Sequence, residues 1–133
     1  MQPHQPHVLI VDDCPVVRTF AAMLLKPHGY HSTVAASLSE ATELLAQITF
    51  DVVLSDFDLG DGETGHQVFM ATRLLETPPV FVLMSSWSKQ TIDPEGMFLN
   101  DIVFIPKPFE ANAFCQTIVD AVARSAQGAR LAS

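Results

Sequence analysis

Residues 7–13, His7-Val8-Leu9-Ile10-Val11-Asp12-Asp13, decide the fold. The apolar run is rich in β-branched residues and ends abruptly in two aspartates. An uninterrupted apolar run of this kind is typical of a strand that is buried on both faces of a parallel sheet. Carboxylates placed directly after such a strand lie at the carboxyl edge of the sheet, where sheets of this type bind their ligands.

Four further apolar runs follow, and helical patterns separate all five. These runs predict strands over residues 30–35, 51–55, 80–84 and 102–105. Apolar residues at helical spacing lie between them, and Ser37 and Glu40 have the spacing of a capping box. Strict alternation of strands and helices with short connections predicts an α/β protein of the flavodoxin-like doubly wound class. We expect a five-stranded parallel sheet of order 2-1-3-4-5 with helices on both faces.

The length and charge of the chain limit its function. The chain has 133 residues, which suggests one domain, and a formal charge of −8. Its seven basic residues are scattered, whereas binding to nucleic acid or anionic membranes needs clustered Lys and Arg. Two cysteines make neither a disulfide framework nor a zinc site. We therefore predict a cytoplasmic protein with tails over residues 1–6 (disordered) and 127–133, and a domain over residues 7–126.

Polar residues follow four of the five predicted strands. They are Asp12 and Asp13 after the first strand, Asp56 and Asp58 after the third, Ser85 after the fourth and Lys107 after the fifth. Each has an ordinary explanation taken alone, because Asp often caps a helix or forms a turn and a lone Lys is usually a surface charge. In the predicted strand order, however, these strands are neighbours. Their polar ends should therefore converge at one edge.

The residue types at that edge indicate a particular chemistry. Several carboxylates in one cleft repel each other unless a cation is present, and oxygen ligands favour Mg²⁺. A lysine supplies a point charge for a phosphoryl oxygen, and a hydroxyl can donate a hydrogen bond to another. One aspartate can then act as a nucleophile and accept a phosphoryl group.

The chain resembles the receiver domain of bacterial two-component response regulators. Residues 8–13, 53–56, 84–86 and 105–109 carry the resemblance, in the order of that family and near its usual spacing. The resemblance implies that Asp56 accepts the phosphoryl group. It also implies a Mg²⁺ site formed by Asp12, Asp13, Asp56 and the backbone carbonyl of Asp58.

The resemblance assigns further roles. Ser85 and Lys107 match the hydroxyl and the lysine that bind the phosphoryl group, and the Lys107–Pro108 bond is expected to be cis. Ser85 and Phe104 match the two switch positions, although Phe104 could also be a simple half-buried sheet residue. Asp58 and Trp87 occupy positions that influence phosphate lifetime. We hypothesise that the Trp87 ring shields the acyl phosphate, the alternative being an exposed loop aromatic or a contact surface.

The sequence also departs from the usual pattern of the family. The predicted loop over residues 59–65 is one residue longer than the commonest form and lacks its proline, and Gly65 should supply the turn before the third helix. Pro94 and Gly96 interrupt the fourth helix, which the pattern places over residues 88–99. Partner contacts that the family makes through that helix are therefore not carried over.

The resemblance implies a signalling switch and not an enzyme that turns over a separate metabolite. A histidine kinase or histidine phosphotransfer protein would donate the phosphoryl group, and a downstream effector would read the change. One alternative is a degenerate receiver that acts only as a protein-binding module. Another is a phosphatase of the haloacid-dehalogenase type, because Asp56-Phe57-Asp58 resembles the nucleophile motif of that family. That motif normally ends the first strand, whereas two predicted strands precede Asp56.

Overall fold

The computed structural model describes residues 5–132, and the side chains of these residues apart from residue 101 and residues 127–132. The strands are β1 (His7–Val11), β2 (His31–Ala35), β3 (Val52–Asp56), β4 (Asp58–Gly60), β5 (Glu63–Thr64), β6 (Val80–Ser85) and β7 (Val103–Pro106). The helices are α1 (Pro15–Leu25), α2 (Leu38–Gln47), α3 (Gly65–Arg73), α4 (Lys89–Ile92) and α5 (Ala111–Ala132). Two short 3₁₀ helices cover Lys26–His28 and Leu99–Asp101.

Five parallel strands form the central sheet in the order β2-β1-β3-β6-β7. This is the predicted order 2-1-3-4-5, because β6 and β7 are the fourth and fifth strands of this sheet. Alternate residues of β1 face opposite sides of it. Leu9 and Val11 belong to a core shared with α2 and α3, whereas Val8 and Ile10 belong to a core shared with α1 and α5. All four are completely buried, as the uninterrupted apolar run predicted.

The segment after β3 is more regular than the predicted loop. Residues 58–64 form an antiparallel hairpin of β4 and β5, in which Asp58 pairs with Thr64. Gly60 and Gly62 adopt positive φ angles, which glycine reaches without a Cβ clash, and Asp61 between them has φ 53°. Gly65 is the first residue of α3 and not part of the predicted turn before it, because Thr64 caps the helix. The prediction of an irregular loop was wrong for the two paired strands.

The fourth helix is as poor as the sequence indicated. Helix α4 has only four residues and ends before Pro94. The chain then turns at Gly96, whose φ is 66°. The carboxylate of Asp93 accepts hydrogen bonds from the backbone N–H groups of Met97, Phe98 and Leu99. These bonds satisfy donors that a longer helix would have used internally.

The two ends of the domain differ from simple tails. Gln5 donates a side-chain hydrogen bond to the Gly29 carbonyl, and the Pro6 carbonyl accepts one from the backbone N–H of His31. Residues 1–4 lie outside the described residues. Helix α5 continues to residue 132, through most of the predicted C-terminal tail, so the boundaries at residues 7 and 126 stay predictions. No helix within residues 5–132 is long and apolar enough to cross a membrane.

Candidate functional site

Three predicted carboxylates converge at the carboxyl edge of the sheet. Asp12 and Asp13 follow β1, and Asp56 ends the adjacent strand β3, where Val11 is paired with Ser55. One carboxylate oxygen from each aspartate lies within 4.8 Å of the other two. Asp12 is completely buried and Asp56 is 9% exposed, whereas Asp13 is exposed. The cluster is therefore a pocket with a buried floor and one open side.

Lys107 closes this pocket from the neighbouring strands. Its Nζ donates a hydrogen bond to Oδ2 of Asp12 at 2.8 Å and lies 3.2 Å from Oδ1 of Asp56. The backbone N–H of Lys107 donates to the Ser85 carbonyl at 2.8 Å, which fixes the residue beside the end of β6. The Lys107–Pro108 peptide bond is cis, as expected. One ammonium group thus contacts two of the three carboxylates.

The charges of the pocket are not balanced. Burial and the charge of Asp12 raise the pKa of Asp56 to about 6, against the opposing effect of Lys107. Burial lowers the pKa of Lys107, but its hydrogen bond to Asp12 and the charges of Asp56 and Asp12 outweigh that effect and raise it overall. A second cation would relieve the repulsion among the carboxylates. The all-oxygen donor set and the open side at Asp13 fit a hydrated Mg²⁺ ion.

Ser85 lies one residue beyond the point where β6 pairs with Asp56. It is buried, and its Oγ accepts a hydrogen bond from the backbone N–H of Trp87 at 2.9 Å. Trp87 is 56% exposed. Phe104, on β7, is half-buried and packs against the core on the α2 and α3 side. The structure thus places Ser85 at the pocket edge, and Trp87 and Phe104 outside the carboxylate cluster.

The hairpin of β4 and β5 forms another wall of the pocket. Asp58 is exposed, and its Oδ1 accepts a hydrogen bond from the N–H of Gly60. A Cβ added to Gly60 would lie 3.4 Å from Oδ2 of Asp13. Gly65 approaches even more closely, because a Cβ there would lie 2.5 Å from the Asp56 carbonyl. The glycines therefore allow the hairpin to pack directly against the acidic residues.

Three supporting residues were missed by sequence reasoning. Arg18 of α1 donates a hydrogen bond to the Asp12 carbonyl at 2.7 Å. Glu63 of β5 accepts one from the N–H of Leu38 at the start of α2, which ties the hairpin to that helix. Lys89 of α4 places its Nζ 5.6 Å from the ring centroid of Phe104. A sequence signal existed only for the hairpin that contains Glu63, because glycines on both sides of a polar residue, as in Gly60-Asp61-Gly62, are typical of hairpin turns.

An acidic pocket with one lysine at the carboxyl edge of a doubly wound sheet defines a class of phosphoacceptor proteins. The sequence profile of the response regulator receiver domain matches residues 8–119. The chain therefore belongs to the receiver domain family of two-component systems, and it is a phosphoacceptor signalling module. Asp12, Asp13 and Asp56 form the acidic triad that is typical of the Mg²⁺ site in this family.

Curated relatives and solved structures agree with this assignment. Regulatory protein VirG of Agrobacterium tumefaciens is 29% identical over 84% of this chain and 42% of its own length. Transcriptional regulatory protein GlrR of Escherichia coli is 30% identical over 92% of this chain and 28% of its own length. The chain thus spans less than half of either relative. The signal receiver domain of a putative LuxO repressor protein from Vibrio parahaemolyticus has the same fold, with a TM-score of 0.86 and 15% identity over 98% of this chain and 99% of its own.

Proposed function

We propose that this chain is a phosphorylation-dependent switch that accepts a phosphoryl group on Asp56. The supporting observation is the position of the Asp56 carboxylate, with the Lys107 ammonium 3.2 Å from one of its oxygens and the carboxylates of Asp12 and Asp13 within 4.8 Å. A nucleophile, a cationic group and a metal-binding pair thus share one pocket. These are the parts that phosphoryl transfer needs, because its catalysis is almost entirely positioning and charge stabilisation.

The chemical step is a displacement at phosphorus. A carboxylate oxygen of Asp56 forms a bond to the phosphorus atom while the bond from phosphorus to the donor nitrogen breaks. The electron pair of the broken bond returns to the donor's imidazole, so no oxidant or reductant is needed. Lys107 stabilises negative charge on the phosphoryl oxygens, and the hydroxyl of Ser85 donates a hydrogen bond to one of them.

Asp12, Asp13, Asp56 and the carbonyl of Asp58 are the groups that would hold Mg²⁺. The bound ion would neutralise charge on the phosphoryl oxygens and on the pocket itself. Lys107 keeps Asp12 oriented through its 2.8 Å hydrogen bond, and the Asp12 backbone is held by Arg18. Asp13 is the exposed carboxylate of the acidic triad, so it would exchange water for the ion most readily.

Switching would follow from the contacts of the new phosphoryl group. The hydroxyl of Ser85 would turn towards a phosphoryl oxygen, and Phe104 would move towards the space that this hydroxyl leaves. Such a local charge event biases a two-state element without a large rearrangement of the core. Asp58 and Trp87, which are both exposed, would set how quickly water reaches the acyl phosphate.

The proposed partners are a histidine kinase or a histidine phosphotransfer protein as donor, and an effector that reads the phosphorylated form. Membership of the family supports these partners. VirG and GlrR are both named as regulatory proteins and are longer than this chain, which is consistent with an effector on the same polypeptide or on another protein. We also propose cytoplasmic localisation, without direct binding of this domain to nucleic acid or membranes.

Incubation with acetyl phosphate and Mg²⁺, followed by intact mass measurement, tests the proposal. The wild-type protein should gain the mass of one phosphoryl group, and the gain should be lost on treatment with hydroxylamine, which cleaves acyl phosphates. Asp56→Asn should gain nothing, whereas the matched control Asp61→Asn, which removes an acidic charge from the hairpin tip, should behave as wild type. A wild-type protein that gains no mass would instead be a degenerate receiver that acts as a binding module.

A further inference from the structure

Lys89 contacts the ring at the proposed switch position. It is the first residue of α4 and is exposed, and its Nζ lies 5.6 Å from the centroid of the half-buried Phe104 ring. A lysine at this distance from an aromatic face makes a cation–π interaction. The side chain of Ser88 caps α4 by accepting a hydrogen bond from the N–H of Thr91. The backbone that presents Lys89 to the ring is therefore itself held in place.

The segment that precedes Lys89 also contacts Ser85, the other proposed switch residue. The backbone N–H of Trp87 donates a hydrogen bond to the Oγ of Ser85, only four residues before Lys89. Residues 85–89 thus form one short turn, which holds the Ser85 hydroxyl at its start and covers Phe104 at its end. A movement of the hydroxyl away from the Trp87 N–H releases the start of this turn.

We propose that Lys89 is a positioning residue whose cation–π contact holds the Phe104 ring in place before phosphorylation. The proposal rests on the proposed function of Asp56. When the phosphorylated state forms, Lys89 leaves the ring, and Phe104 becomes free to move inward. The Lys89–Phe104 contact therefore stabilises the resting state, and it must be broken when the activated state forms.

This role predicts the direction and the size of the change in binding of a phosphoryl analogue when the Lys89 charge is removed. A ligand shifts a two-state equilibrium by its difference in affinity for the two states, so a contact made only in the resting state weakens ligand binding. An exposed cation–π pair has an energy equivalent to a change of about two- to fivefold in an equilibrium constant. Removing the Lys89 charge should therefore tighten the binding of a phosphoryl analogue by about this factor.

Fluorescence of Trp87, the only tryptophan in the chain, provides the measurement. Beryllofluoride, which mimics the phosphoryl group on an aspartate, is titrated into the full chain at saturating Mg²⁺. Lys89→Met, which keeps an unbranched side chain but removes the charge, should lower the midpoint about two- to fivefold. Lys89→Arg should restore the wild-type midpoint, because guanidinium also stacks on aromatic rings. The control Lys26→Met, in the 3₁₀ helix that follows α1, should leave the midpoint unchanged.

A double-mutant cycle identifies the ring as the partner. In the Phe104→Leu background, Lys89→Met should have no further effect on the midpoint, since the aromatic face is absent. A wild-type midpoint for Lys89→Met, or a shift that persists without the Phe104 ring, would overturn the role of Lys89 and leave the phosphoacceptor function standing. If the wild-type protein neither responds to beryllofluoride nor gains phosphoryl mass, both proposals fail.

Discussion

The carboxylate of Asp56 is under electrostatic strain when no metal is bound, because burial and Asp12 raise its pKa from 3.8 to about 6. The folded protein therefore binds this proton more tightly than the unfolded chain does. Stability contributed by protonated Asp56 is present at low pH and is lost as pH rises through about 6. At neutral pH the ionised group opposes folding, whereas the neutral amide of asparagine would not.

We accordingly expect Asp56→Asn to stabilise the metal-free protein at about pH 7.5 by roughly 1–3 kcal/mol, with the upper value reduced for partial solvent screening. Lys107 keeps Asp12 as its partner in this variant, so no buried cation is left unpaired. Urea denaturation in EDTA measures the difference. It should nearly vanish at about pH 4, where Asp56 is protonated in the folded wild-type protein. A variant no more stable than wild type at the higher pH would contradict the charge imbalance.

Trp87 is the residue that we propose protects the acyl phosphate. Its backbone N–H donates a hydrogen bond to the Oγ of Ser85, and the residue is 56% exposed. We predict that Trp87→Ala loses its phosphoryl group roughly two- to tenfold faster than wild type once the donor is removed, because water then meets a lower barrier. Trp87→Phe, which keeps a ring, should lie near wild type. Equal lifetimes for the alanine variant and wild type would leave Trp87 as a simple exposed aromatic.

Strands and helices could be predicted from the sequence wherever a hydrophobic pattern is long enough to repeat. Strands β1, β3, β6 and β7 follow from apolar runs, whereas β2 (His31–Ala35) begins with three polar residues and was the weaker prediction. The failure of the fourth helix follows from Pro94 and Gly96. The β4–β5 hairpin could not be predicted as strands, because its strands have three and two residues and show no periodicity. Pairing there depends on packing against the pocket and on the hydrogen bond from Leu38 to Glu63.

Gly65 joins the hairpin to α3, and its backbone packs directly against Asp56. A Cβ there would lie 2.5 Å from the Asp56 carbonyl and 2.7 Å from Leu83 Cδ1, so the backbone or the core must shift. Gly65→Ala should lower the free energy of unfolding by about 1–3 kcal/mol, as overpacking does, and should slow phosphorylation because Asp56 moves. Chemical denaturation and the rate of phosphoryl mass gain measure these effects.

Gly62→Ala is the matched control for that prediction. Gly62 lies at the hairpin tip with φ 80° and has open space around it, so alanine there is strained without a clash. The substitution should cost about 1–2 kcal/mol of stability. It should nevertheless leave the phosphorylation rate unchanged, because Asp56 is not displaced. If both alanine variants slowed phosphorylation equally, general loosening of the hairpin would explain the effect instead of the contact with Asp56.

At the scale of the whole molecule, the topology brings the site together. Parallel strands in the order β2-β1-β3-β6-β7 place the ends of β1, β3, β6 and β7 side by side, so residues separated by 95 positions, Asp12 and Lys107, form a hydrogen bond. That convergence could be predicted from the strand order alone. The different burial of Asp12 and Asp13 could not, because it depends on tertiary packing: Asp12 is completely buried with its carboxylate bonded to Lys107 and to the N–H of Cys14, whereas Asp13 is exposed.

The stability of the whole molecule should report on metal binding through linkage. A ligand that binds only the folded state raises the free energy of unfolding by RT ln(1 + [L]/Kd), about 2.7 kcal/mol at a hundredfold excess over Kd. For a domain of this size we expect Mg²⁺ at that excess to raise Tm by roughly 5–10 °C above a NaCl control of equal ionic strength. Thermal denaturation measures the shift.

The variants Asp13→Asn and Asp61→Asn decide whether the shift comes from the acidic triad. Both aspartates are exposed and both substitutions remove one charge, but only Asp13 has a carboxylate oxygen within 4.8 Å of those of Asp12 and Asp56. Asp13→Asn should therefore lose most of the Mg²⁺-dependent rise in Tm while still folding, because its side chain is not part of the core. Asp61→Asn should keep the full rise, since asparagine tolerates the left-handed backbone at that position. An equal loss in both variants would mean that Mg²⁺ acts on the net charge of −8 as a whole and not at the pocket.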